Sequence, residues 1–229
     1  MPITFARIRL ARVLTHRCSY LFLALLLLLV TLPFLIDSPQ GRIIANLINL
    51  SILIAAVAAV GRTKLLFAIA VLLALPVVGF QVLGIVWAEP RYLMLSWVFG
   101  SFFYFTTLAL LLRYVLLPDV MNTDKLYGAA AAYLMLGIMW AYFYGIIQYF
   151  NPGAFAPAGA PLTLFDLLYF SFTVLTTTGF GDIVPVLPVA RVLTILEQVV
   201  GILYVAILIA RLSSMYPTEE RGHRTTRHT

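Results

Sequence analysis

Six long apolar runs divide this chain and leave few folds open to it. Five come first: Tyr20–Ile36, Ile43–Val60, Leu65–Ala88, Tyr92–Leu117 and Leu126–Phe150. The sixth, Val189–Ser213, follows after a gap. A helix takes about 20 residues to cross a hydrocarbon core of roughly 30 Å, and each run reaches that range. The 229 residues are 62% hydrophobic and 10% charged, which a water-soluble domain of this size does not tolerate. The expected class is an all-α membrane protein with six transmembrane helices. The breaks between runs carry turn chemistry: Asp37-Ser38-Pro39-Gln40-Gly41, Gly61-Arg62, Glu89-Pro90, Pro118-Asp119 and Asn151-Pro152-Gly153. Arg7, Arg9, Arg12 and Arg17 ahead of the first run imitate a signal peptide. That run ends in Leu-Pro-Phe-Leu-Ile-Asp with no small-x-small cleavage site, so it reads as a retained first span.

Charge placement gives the orientation. With both termini in the cytoplasm, six spans put 12 Lys and Arg residues inside and only Arg42, Arg91 and Arg191 outside. This is the sense of the positive-inside rule, and an odd number of spans would break it. The expected location is the plasma (inner) membrane, multi-pass. The net charge of +6 is therefore no nucleic-acid footprint. One cysteine, Cys18, excludes an intrachain disulfide framework and a cysteine zinc cage. His16, His223 and His228 lie outside the apolar runs, and no nucleophile–base pair or carboxylate cluster suggests an enzyme.

Between the fifth and sixth runs stands Thr177-Thr178-Gly179-Phe180-Gly181-Asp182, preceded by an apolar stretch, Leu164–Thr176, of about three and a half helical turns. That stretch is too short to cross, so it is expected to be re-entrant. Irregular backbone at membrane depth is tolerated only where protein surrounds it or where it lines water. Asp166 in the first turn suits the helix dipole. A Gly-x-Gly is by itself also a common turn between two helices. Here the flanks add to it, and the hexapeptide resembles the selectivity filter of potassium channels, Thr-x-Gly-Tyr/Phe-Gly followed by Asp. Further matches are the post-filter Pro185, Arg191 and Gly201, which lies 19 residues after Asp182. The resemblance covers roughly Asp119 to Met215. Asp124-Lys125-Leu126-Tyr127-Gly128 and the run Ala206 to Leu212 are similar to prokaryotic six-span channels of the voltage-gated-like superfamily.

The resemblance implies a pore. The carbonyls of Thr177, Thr178, Gly179 and Phe180, and the Thr177 hydroxyl, would replace the water around potassium, with Gly181 completing the filter. Glycine leaves the usual φ region cheaply, which suits Gly179 and Gly181 to turning successive carbonyls toward one axis. Asp182, Thr173 and Thr176 would support the filter, and Gly201 would be a gating hinge. Helical spacing from Gly201 puts Ile202, Val205 and Ile209 on the cavity face, with Ser213 at the inner mouth. One chain supplies one filter strand, so a homotetramer is expected. No cofactor beyond potassium in the filter and no auxiliary subunit is indicated. The implied layout is a cytoplasmic N-terminus (1–18), a four-helix voltage-sensor-like domain (19–118), a pore domain (119–216) and a cytoplasmic tail (217–229).

The chain departs from the family in four places. Its fourth run carries one inner arginine, Arg113, where a voltage sensor repeats them. Each charge moved through the field is worth about 2.3 kcal/mol per 100 mV, so steep voltage gating needs several. Asn46, Asn49 and Ser51 in the second run suit interhelical hydrogen bonds. The 13-residue tail, Pro217–Thr229, is expected to hold no ligand-binding domain. Its basic residues suit anionic lipid, against the blander reading of a disordered tail. The pore helix has Tyr169, Phe170, Ser171 and Phe172 where relatives often place tryptophan. Support for the filter is then packing rather than hydrogen bonding, unless Tyr169 or Thr173 substitutes. Last, Glu197 sits one turn before Gly201 inside the sixth run. Two readings stand: a modulatory acid sensing pH or cations, and an acid hydrogen-bonded to a neighbouring helix. A potassium-selective channel without strong voltage gating is the leading function. A weakly selective cation channel and a non-conducting membrane sensor or scaffold are the alternatives.

Overall fold

The computed structural model describes residues 17–35, 39–60, 64–117, 122–156 and 162–213. The basic termini and Arg62 lie outside the described residues. Seven helices account for nearly all of the rest: α1 (Arg17–Leu35), α2 (Pro39–Val60), α3 (Lys64–Trp87), α4 (Pro90–Leu116), α5 (Thr123–Phe150), α6 (Leu164–Leu175) and α7 (Pro188–Ser213). Two short strands, β1 (Phe155–Ala156) and β2 (Val184–Pro185), pair antiparallel. The protein is an all-α membrane protein, with six long helices and a short one between the fifth and the last.

Five of the long helices are long and apolar enough to span by themselves. In α2 the apolar stretch is shorter, Asn46–Ala59, although the whole helix has 22 residues and is about 33 Å long. Helix ends overrun the apolar runs because polar residues cap them. The Asn122 side chain accepts the Lys125 amide at 2.9 Å, so α5 starts three residues before its first large apolar residue, Leu126. Pro90 opens α4, where its missing N–H has no helical partner to lose.

α5 is the central post, in contact with α1, α4, α6 and α7. Small residues on it admit large neighbours. Gly145 lies under the Trp97 ring of α4, while Gly100 of α4 lies under the Tyr142 ring of α5, a reciprocal fit. Near the start of α5, Gly128 faces Cys18 of α1 and Val115 and Leu111 of α4. The Asp124 carboxylate accepts the Cys18 amide at 2.9 Å, and the Tyr114 hydroxyl at 2.9 Å. An acid on α5 thus caps α1 and holds α4. α1 and α4 therefore rest on α5 of the same chain, with only residues 117–122 between α4 and α5. In α2, Asn49 reaches another helix, with the Tyr104 hydroxyl 3.4 Å away, whereas the Ser51 hydroxyl turns back to Ile48 within its own helix.

Candidate ion-conducting site

The short helix α6 aims an irregular strand, residues 176–182, along its own exit. Its entry is fixed twice. Thr163 caps it and Asp166 returns a bond to the Thr163 amide at 2.8 Å, a complete capping box. Gln148 of α5 clamps the preceding loop with both amide atoms: Nε2 donates to the Leu162 carbonyl at 2.9 Å, and Oε1 accepts the Leu162 amide at 3.0 Å. Sequence reasoning missed this clamp; the signal was a lone amide inside the fifth apolar run.

At its other end α6 hands its last carbonyls to the strand. The Thr173 carbonyl accepts the amides of Thr178 (2.8 Å) and Gly179 (3.2 Å), and the Val174 carbonyl accepts that of Thr177 (2.9 Å). Thr173 thus supports the strand through its backbone, since its hydroxyl donates to Phe170. The Thr176 hydroxyl lies 2.7 Å from the Phe172 carbonyl and 2.8 Å from the Thr178 hydroxyl. Beyond the strand, β2 pairs with β1, and the Arg191 side chain donates to the Pro185 carbonyl at 3.2 Å.

Backbone angles along the strand alternate. Thr177, Gly179 and Gly181 have φ of 58°, 57° and 83°, all left-handed. The two glycines fit the expectation. Thr177 does not follow from composition: a β-branched residue in that region is an outlier, held here by hydrogen bonds on both sides. Thr176 through Asp182 are all exposed in the single chain, and Phe180 is 70% exposed.

Behind the strand the missing tryptophan has a substitute. The Tyr169 ring stacks on Phe180, centroids 6.2 Å apart and 7° from parallel, and the neighbouring Asp182 raises the pKa of its hydroxyl. The strand's outer end is thus held by packing, with the Asp182 side chain near the phenol.

Residues 131–217, from the middle of α5 through α6, the strand and α7, match the ion channel family. That match spans 87 of the 229 residues. Over 98 residues it is 29% identical to a voltage-gated potassium channel of Aeropyrum pernix. That similarity covers 43% of this chain and 30% of the relative. No solved structure matches.

Within the matched residues the remaining predicted positions separate into two groups. Ile202, Val205, Ile209 and Ser213 lie exposed along α7. Gly201 is buried: a Cβ there would stand 2.6 Å from the Leu175 carbonyl oxygen and 2.9 Å from its Cδ1. The glycine admits the end of α6 against α7, a packing duty the spacing argument did not foresee. The same Leu175 carbonyl receives the Tyr133 hydroxyl of α5 at 3.4 Å. Glu197 is fully buried, taking a hydrogen bond from the Tyr144 hydroxyl and lying 2.5 Å from Ser171 Oγ. It joins α5, α6 and α7, the arrangement expected for an acid bonded to neighbouring helices.

Tyr169→Phe keeps the stacked ring and removes only the hydroxyl. Its expected result is normal flux in high potassium and severalfold faster loss of flux after transfer to low potassium, read as a time course in liposomes. An unchanged time course would make the Asp182 contact incidental.

Proposed function

We propose that four copies of this chain form a potassium-selective pore through the plasma membrane, with both termini in the cytoplasm. The carrying observation is the left-handed backbone at every second residue, Thr177, Gly179 and Gly181. Such alternation turns consecutive carbonyls toward one side, and one strand so built is a quarter of an oxygen cage. Thr177, Thr178, Gly179 and Phe180 would offer their carbonyls to potassium, with the Thr177 hydroxyl below. The exposed strand and the exposed face of α7 support assembly, since both stand ready to be covered or to line water. The name of the Aeropyrum relative agrees with potassium as the ion.

Voltage is a poor candidate for the stimulus. No charged residue lies between Arg91 and Arg113 in α4, and Arg91 is paired with Glu89 at the outer end. Arg113 is exposed in the last turn, where it suits an interfacial anchor. The cavity face of Ile202, Val205 and Ile209 would close by dewetting where four α7 helices converge.

Reconstituted protein tests this directly. Liposomes are expected to show barium-sensitive potassium flux with little sodium flux. Equal passage of the two ions would refute selectivity, and a tetramer that passes neither at any imposed voltage would refute the pore.

A further inference from the structure

Ser171 Oγ has two oxygen neighbours, the Gly137 carbonyl at 2.8 Å and Glu197 Oε1 at 2.5 Å. A serine hydroxyl carries one proton, and a carbonyl can only accept. The Tyr144 hydroxyl donates to the other carboxyl oxygen, Oε2. Were Glu197 a carboxylate, two protons would serve three contacts, and either the Gly137 or the Glu197 contact would be oxygen against oxygen with none between. A neutral Glu197 supplies the third proton. Every contact is then filled: Tyr144 to Oε2, Oε1–H to Ser171, and Ser171 to Gly137.

We infer that Glu197 works as a protonated acid whose own proton ties the inner helix to the pore helix, making it a positioning residue for the filter. The register of α6 on α7 shows what the tie does. Ser171 faces Glu197 and Leu175 faces Gly201, a step of four residues on both helices, so the two pairs are successive rungs of one contact. Between the two rungs on α6, Thr173 and Val174 hold the filter amides through their carbonyls. Loss of the Glu197 proton removes the donor to Ser171 and puts a charge between three helices with only hydroxyls and carbonyls in contact. The titratable groups facing Glu197 are Tyr144 and Tyr133 of α5; Ser171 of α6 and Thr194 of α7 do not titrate.

The role in positioning rests on the pore reading, whereas the proton assignment does not. Two measurements separate them. In the infrared difference between wild type and Glu197→Gln, a protonated-carboxyl carbonyl band is expected in the wild type and absent from the variant. A carboxylate band in its place would overturn the inference whether or not the protein conducts. In flux, glutamine offers one donor and one acceptor, so Glu197→Gln is expected to keep potassium-over-sodium selectivity within about twofold. Glu197→Leu, or Ser171→Ala should the leucine variant not assemble, should lose about tenfold, the scale of one hydrogen bond. A glutamine variant as impaired as leucine would show that the anion is needed and overturn the inference. Alkaline buffer should reduce wild-type flux and spare Glu197→Gln. Because that variant keeps both tyrosines, an equal fall in it would assign the effect to the phenols and count against Glu197. A wild type that passes no potassium removes the pore reading, and the infrared band still decides the proton.

Discussion

Gly179→Ala is expected to abolish barium-sensitive potassium flux while leaving the chain folded. The reason is conformational. At φ 57° a side chain crowds its own backbone, at about 1–2 kcal/mol per residue. Beyond its two chain neighbours, no atom of the described residues lies within 4 Å of a Cβ placed there, so the penalty is backbone strain. One residue's strain is modest, but a four-fold pore contains it four times. About 4–8 kcal/mol per pore shifts the filter population by about three to six powers of ten. The helices contribute nothing to this strain, so circular dichroism and the melting temperature should stay near wild type. Residual flux above about one-tenth of wild type would show that the strand reaches its working shape without the left-handed step.

The second large effect is expected at Gly201, where two roles predict opposite signs. A hinge glycine replaced by alanine stiffens the helix and gains about 1 kcal/mol of helix propensity. A packing glycine replaced by alanine drives a methyl group into the Leu175 carbonyl at 2.6 Å. That oxygen belongs to the backbone at the end of α6 and cannot rotate aside. Overpacking of this kind costs about 1–3 kcal/mol, so the net expectation for Gly201→Ala is a loss of up to about 2 kcal/mol per chain. Because the displaced carbonyl lies next to the residues holding the filter amides, selectivity should fall with stability. A thermal melt decides: a lower melting temperature with altered selectivity supports packing, and a raised one with slower gating supports the hinge.

The number of helices, their order and the place of the irregular strand after α6 were legible from apolar run length and one glycine pattern. Helix ends were less so, because caps such as Asn122 and Thr163 set them rather than hydropathy. Gly179 and Gly181 announced their φ angles, since only glycine takes them freely. Thr177 did not, because its left-handed angle is imposed by hydrogen bonds that form only once α6 is in place. Tyr169 could be nominated as a substitute for tryptophan, but its stacking on Phe180 depends on how the strand runs past α6. Glu197 was conspicuous as an acid in an apolar run. Its partners, Tyr144 and Ser171, lie 53 and 26 residues away, and no local pattern links them.

The short link between α4 and α5 bears on how a tetramer would be put together. Because Asp124 draws α1 and α4 onto their own α5, no part of one copy has to reach around the next. Each chain can finish its peripheral bundle as it leaves the synthesis machinery, before it meets a neighbour. Four such wedges could then close edge to edge, and come apart again, without unthreading. Subunits of two differently tagged pools should therefore exchange in a mild detergent on mixing, which an interlaced assembly would resist.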